Sequence, residues 1–250
     1  MTAEEFYREL KNRFEKLLKE NDIGNEAVSV VCRALSPEEA IGNTRRKDFP
    51  ILTGNDVMIQ AEFRGSRGQA FTDAPLEYAG SLSDVLAADL SGDPHARGLY
   101  IATMNAVMRY LGICTSTAHC RTEGPEKCAG DILSWLRENY GDRKRIGLVG
   151  YQPAILSALA KSEFSVRCLD LNPDNIGTDR CGVTVEDGVT AMEDVKNNSD
   201  LLLVTGSTVC NGTIVDYLGL KTEVVFFGMT ISGTAELMGL KRICFADRYE

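Results

Sequence analysis

From residue 146 onward the chain repeats one pattern that few folds can accommodate. β-prone apolar runs at 146–149, 166–171, 201–204, 224–227 and 243–246 are separated by helical or loop segments of crossover length. Antiparallel neighbours can be joined by a two-residue hairpin, whereas parallel neighbours need a crossover of about a dozen residues or more. The alternation therefore predicts βαβ units around a mostly parallel sheet, Rossmann-like if the crossovers take their usual right hand.

Ligands of open parallel sheets bind beyond the carboxyl ends of the strands. Here those ends read Gly150-Tyr151-Gln152-Pro153, Asp170-Leu171-Asn172, Thr205-Gly206-Ser207-Thr208 and Gly228-Met229-Thr230, all small or polar. The first turn lacks G-x-G-x-x-G, and Pro153 stands where a helix would start, so any anion there would rest on a helix N-terminus. Asp170 occupies the place of a ribose-binding carboxylate, but acidic residues after strands are common, and classical NAD or FAD binding is not expected. Thr205, Gly206, Ser207, Asn211 and Thr213 suit a carboxylate, phosphate or polar ring held by amides and hydroxyls. A tight strand-to-helix turn capped by Ser207 or Asn211 would use the same residues.

Upstream the pattern is mixed. Thr2-Ala3-Glu4-Glu5 has the form of a capping box, after which Phe6, Leu10, Phe14, Leu17 and Leu18 recur at helical spacing until Asn21-Asp22-Ile23-Gly24. Strands are predicted over 27–35 and 57–63, with a flexible turn at 65–68 and a helix opened by Ser81 and Asp84. Asp93-Pro94 starts a helix that is apolar on most of its circumference, which predicts burial between layers. Asn105 is its polar exception, and a buried amide needs partners from the core or from a ligand. The expected organisation is an α+β domain over 1–92, connecting helices and a junction over 93–142, and a Rossmann-like α/β domain over 143–250.

The junction holds His119-Cys120-Arg121-Thr122-Glu123-Gly124-Pro125-Glu126-Lys127-Cys128, which includes one of only two histidines in the chain. Imidazole and thiolate suit Zn, Cu, Ni or Fe. The spacing fits no self-contained zinc site, so His119, Cys120 and Glu126 would need donors from elsewhere or from a bound chelator. The alternative is a loop histidine with two ordinary thiols, Cys128 flanking the apolar stripe of the helix that Pro125 opens. Arg46, Lys47 and Asp48 lie in a second polar cluster, which would either meet a small anion or form a solvated turn.

A net charge of -9 argues against nucleic acid, whose binding depends on Lys and Arg neutralising phosphates. The charged, amphipathic N-terminus is no signal peptide, and no apolar run approaches the ~20 residues of a membrane span. Eight scattered cysteines without a CxxC pair read as reduced thiols of a cytoplasmic protein.

The chain resembles the family described as putative heavy-metal chelation, a group of prokaryotic proteins. The resemblance runs through RKDFPIL (46–52), EFRGSRGQAFTD (62–73), NAVMRYLG (105–112), HCRTEGPEKC (119–128), VGYQPA (149–154), DLNPDNIG (170–177), VTGSTVCNGT (204–213) and TISGTAELMGLKR (230–242). It implies an enolase N-terminal-like domain followed by a Rossmann-like domain, with a candidate site in the cleft between them. It carries over no catalytic residue.

Together these readings lead us to expect a small anionic ligand in the interdomain cleft, carrying a chelated transition metal in one version, bound by an enzyme of metal-chelator or cofactor metabolism. Arg46, Lys47 and Asp48 from the first domain, Asn105, and His119, Cys120 and Glu126 from the junction would face Gly150, Pro153, Asp170, Asn172, Thr205, Gly206, Ser207, Asn211 and Thr213. His119 and Cys120 would ligate the metal, and Lys47 would offset carboxylate charge. The alternatives are a non-catalytic metal or chelate carrier and a nucleotide- or S-adenosylmethionine-dependent transferase using Asp170. Neither a nucleic acid nor a membrane is expected as partner, and self-association into a homo-oligomer is left open.

Overall fold

The computed structural model describes residues 1–23, 29–52 and 56–249. Gly24, in the predicted helix stop, and Ala27 and Val28, at the start of the first predicted strand, lie outside the described residues.

Helix α1 (Ala3–Glu20) opens on the expected capping box, Thr2 Oγ1 accepting from the Glu5 amide at 3.2 Å and Glu5 Oε2 from the Thr2 amide at 2.8 Å. Its buried face is Phe6, Leu10, Phe14 and Leu18, together with Tyr7, whose hydroxyl donates to the Val209 carbonyl at 2.8 Å. Strand β1 (Ser29–Leu35), helix α2 (Pro37–Ile41), strands β2 (Val57–Phe63), β3 (Ser66–Thr72) and β4 (Tyr78–Ser81) and helix α3 (Leu82–Ala87) follow. The strands form an antiparallel sheet in the order β3-β2-β1-β4. Of the flexible turn expected at 65–68, Gly65 lies in a turn, whereas Ser66, Arg67 and Gly68 begin β3. The chain reverses in two residues, Arg64 and Gly65, with φ of 47° and 80°, the primed geometry that matches strand twist. Arginine at the first of these positions hides a signal usually carried by Asn or Asp.

After α4 (Pro94–Tyr110) and α5 (Gly124–Tyr140) the predicted alternation appears: β5 (Arg145–Val149), α6 (Pro153–Ala160), β6 (Ser165–Asp170), β7 (Asp179–Arg180), β8 (Val183–Asp187), α7 (Met192–Asn198), β9 (Leu201–Thr205), α8 (Thr208–Asn211), β10 (Glu223–Phe227), α9 (Ser232–Met238) and β11 (Arg242–Ile243). Their sheet runs β11-β10-β9-β5-β6-β8-β7, parallel except for the β7–β8 pair. Counting β5, β6, β8, β9, β10 and β11 as first to sixth, the spatial order is 3-2-1-4-5-6, that of doubly wound dinucleotide folds. Strands β7 and β8 were not expected, because 179–187 holds too few apolar residues to register as a run.

This sheet is covered on both faces, and β9 shows how. Leu202 and Val204 join a core with Phe6, Phe14, Tyr100 and Met104 from α1 and α4, whereas Leu201 and Leu203 join another with Ile132, Leu136 and Leu156 from α5 and α6. The expected burial of α4 is found, with Leu99, Tyr100, Ile101, Met104 and Val107 all nearly inaccessible. At Gly68 of β3 an added Cβ would lie 2.2 Å from the Ala106 nitrogen and 2.3 Å from the Ala102 oxygen, so only glycine allows α4 to press this closely on the sheet. Helix α4 thus links both sheets, and one core crosses from the first half of the chain to the second. Among the described residues no helix is long and apolar enough to cross a membrane.

Candidate functional site

A cavity of about 510 Å³ opens beyond the carboxyl ends of β5, β6, β9 and β10, with Phe71, Asp73 and Asp56 from the antiparallel sheet and His119 and Cys120 from the junction on its other side. It therefore sits at the reversal of strand order between β5 and β9, the place where ligands of such sheets bind.

Gly150, Pro153, Asp170 and Asn172 all line it. Gly150 turns with φ 87°, and a Cβ there would meet Thr205 Cγ2 at 2.5 Å. The N-terminus of α6 is capped by its own Gln152, whose Oε1 accepts from the Ile155 amide at 2.6 Å, and Pro153 offers no N–H. Asp170 accepts from the Tyr151 amide at 2.6 Å and, through its other oxygen, from the Asn172 amide at 2.7 Å. It latches the ends of β5 and β6 together, so both its oxygens already serve the main chain at the place where dinucleotide folds put a ribose-binding carboxylate.

Thr205, Gly206, Ser207, Asn211 and Thr213 also line the cavity, yet their side chains largely serve their own turn. The Thr205 and Ser207 hydroxyls pair at 2.9 Å, and Asn211 Oδ1 accepts from the amide and hydroxyl of Thr213 at 3.0 and 2.8 Å.

Five expected residues stand elsewhere. Arg46 pairs with Asp48 at 2.7 Å and donates to the Pro153 carbonyl at 3.1 Å, while Asp48 accepts from the Tyr151 hydroxyl at 3.1 Å. Both tie the two halves together behind the cavity wall. Lys47 donates to the Thr44 carbonyl at 2.7 Å, so its charge is spent within its own loop rather than facing the cleft. Asn105 is fully buried and satisfied by main chain: Nδ2 donates towards the carbonyls of Gln69 (3.1 Å), Met229 (3.3 Å) and Thr230 (2.9 Å), and Oδ1 accepts from Gly233 at 2.8 Å. It is a clamp between β3 and the loop after β10, not a ligand contact. Glu126 is exposed on the outer side of α5, because Pro125, Cys128 and Ala129 take the inner side, and it does not join His119 and Cys120.

His119 is held in the cavity wall by its main chain and by its ring. Its amide donates to Gln69 Oε1 at 2.7 Å, its ring meets Phe71 edge-on with centroids 5.6 Å apart, and Nδ1 lies 2.6 Å from the Cys120 carbonyl. A carbonyl only accepts, so Nδ1 carries the proton and Nε2 keeps its lone pair. Burial lowers the pKa of the ring and favours this neutral form.

Four aspartates, Asp56, Asp73, Asp170 and Asp174, line the cavity, and among the described residues no lysine or arginine does so. Burial, and then repulsion by Asp170 and Asp73, raises Asp56 to about 6. The β2–β3 register explains this group: Val57 pairs with Thr72, so Asp56 and Asp73 flank the same end of the hairpin. Assigning 65–68 to a turn concealed that pairing in the sequence. Cys244, also unforeseen, joins Cys128 and Cys120 on the cavity wall. Among the described residues no group of three or more His, Cys, Asp or Glu side chains is arranged to hold a metal ion.

The model of the family DUF364, described as "Putative heavy-metal chelation", matches residues 134–241, from within α5 through most of the parallel sheet. The resemblance read from the motifs is borne out over that stretch. In structure the chain is similar to a protein of unknown function from the DUF364 family of Pyrococcus horikoshii, with a TM-score of 0.54 and 19% identity over 88% of this chain and 79% of that one. A DUF364 protein of unknown function from Desulfitobacterium hafniense DCB-2 gives a TM-score of 0.49 and 15% identity over 75% of this chain and 73% of that one. No curated protein matches the chain.

Proposed function

We propose that this chain, similar over its parallel sheet to a family described by heavy-metal chelation, binds a small, positively charged metal chelate in the cavity between its two sheets. The observation that carries this reading is the lining: apolar walls, four aspartates, a neutral imidazole and, among the described residues, no lysine or arginine. An anionic ligand, as expected from the sequence, would meet four carboxylates, and Lys47, expected to offset its charge, is engaged elsewhere. The division into 1–92, 93–142 and 143–250 serves the proposal by placing the cavity where all three meet.

The donor set fits a chelated metal better than a bare ion. His119 would offer Nε2, oriented by the Nδ1–H bond to the Cys120 carbonyl, and Cys120 a thiol on the same wall. With fewer than three converging protein donors, the remaining positions on the metal fall to the ligand's own atoms. Asp56, raised to about 6, also supplies a group able to exchange a proton near neutral pH, which favours an enzyme acting on the chelate over a passive carrier. A carrier would return its ligand unchanged, whereas an enzyme would alter it.

Charge-matched pairs test the reading. A zinc or nickel complex of a neutral polyamine is expected to raise the melting temperature, by about 2–3 kcal/mol of stabilisation at a hundredfold excess over its Kd. The same metal in an anionic polycarboxylate complex is expected to leave the melting temperature unmoved. Stabilisation by the anionic complex alone would sink the proposal.

A further inference from the structure

Three thiols converge on one wall of the cavity from separate parts of the chain. Cys120 precedes α5, Cys128 lies in its first turns, and Cys244 follows β11; all three are free and all line the cavity. Cys120 and Cys128 belong to one buried cluster against which Cys244 packs, and the thiol of Cys128 is influenced electrostatically by both neighbours. Cys120 and Cys128 are almost inaccessible from outside the fold, at 5% and 8% exposure, so an ion would reach them through the cavity.

The geometry points to a two-thiol site for a soft, divalent d10 cation, formed by Cys128 with Cys120 or Cys244. This deepens the reading of the cavity as a metal-chelate site, by naming where a thiophilic metal would leave its chelator. Soft thiolates select such ions, and a two-coordinate ion needs no third protein donor, so the absence of a three-donor cluster among the described residues does not oppose it. Charge decides the oxidation state. A monovalent ion on two thiolates leaves one negative charge in a cavity already lined by four aspartates, whereas a divalent ion leaves a neutral group suited to an apolar wall. The exchange balances as Hg(II) plus two R–SH giving Hg(SR)2 plus two protons, which leave to solvent; nothing is oxidised or reduced.

Mercury(II) chloride is the probe and excess glutathione the competitor, because a monothiol strips single-cysteine sites but not a chelating pair. Exposed Cys181 supplies the internal control. The wild type is expected to retain one mercury per chain, release two protons and, in peptide mapping after alkylation, show Cys128 and one neighbouring thiol protected while Cys181 is modified. Cys128→Ser is expected to lose at least a hundredfold in retention against glutathione, whereas Cys181→Ser is expected to retain mercury as the wild type does. Stripping of the folded wild type by glutathione, or protection located at other cysteines, would overturn the two-thiol site. The mapping needs no variant, so a misfolded Cys128→Ser leaves the test intact. The thermal response to the cationic chelate reads the cavity separately, and its survival alongside a failed mercury test would remove the thiol pair alone.

Discussion

Replacing Asn105 with leucine is expected to destabilise the protein by about 3–5 kcal/mol, since each buried polar group left without a partner costs about 1–3 kcal/mol. Leucine shares asparagine's branching at Cγ but is larger, so strain from overpacking adds to the polar loss at this fully buried site. It strips the Gln69 and Thr230 carbonyls and the Gly233 amide of bonds at 3.1, 2.9 and 2.8 Å. A chain of this size loses roughly 2–4 °C per kcal/mol, which places the expected fall in melting temperature near ~10 °C. The effect should extend to the cavity, because Gln69 receives the Asn105 bond on its carbonyl and holds the His119 amide with its side chain. A fall of less than about 2 °C would show that the clamp is dispensable.

Asp56→Asn is expected to have the opposite effect on stability and to weaken ligand binding. The folded pKa of Asp56 is raised to about 6 from 3.8, so its contribution to stability is complete below pH 3.8 and is lost as pH rises through 6. Asparagine does not ionise and escapes that loss. At pH 8 the variant should be more stable by about 1–2 kcal/mol, discounted from the full linkage value because the side chain meets solvent in the cavity. Towards pH 4 the two proteins should converge. Affinity for a cationic chelate should fall roughly fivefold at pH 8, about 1 kcal/mol, with the loss shrinking below pH 6. Chemical denaturation and calorimetry at the two pH values measure both. A variant less stable at pH 8 would mean that Asp56 is favourably paired in the fold.

The parallel half of the chain was legible because crossover length and apolar runs are local properties. The strand order was not, since it depends on where each crossover returns. The antiparallel half was harder. Arg64 in a primed turn disguised the β2–β3 hairpin, and the Asp56–Asp73 pair disappeared with it. Long charged side chains were placed by residue type alone, and Arg46, Lys47 and Glu126 each went to partners or solvent that only the loop path decides. Cys244 was invisible for a related reason: thiols distant in sequence meet only once the sheet and α5 are packed. Asp170 and Asn105 were recognised as unusual, but the bonds they make to the main chain depend on segments that only the fold brings together.

In the proposed complex the cavity presents the Nε2 lone pair of His119 to a positively charged metal chelate. Nitrogen-15 NMR of the two histidines, His95 and His119, tests it directly. At pH 7 His119 is predicted to be neutral with its proton on Nδ1, and adding a zinc–polyamine complex should move its Nε2 resonance while His95 stays in place. A His119 protonated on Nε2, or a chelate that stabilises the protein without moving that resonance, would contradict it.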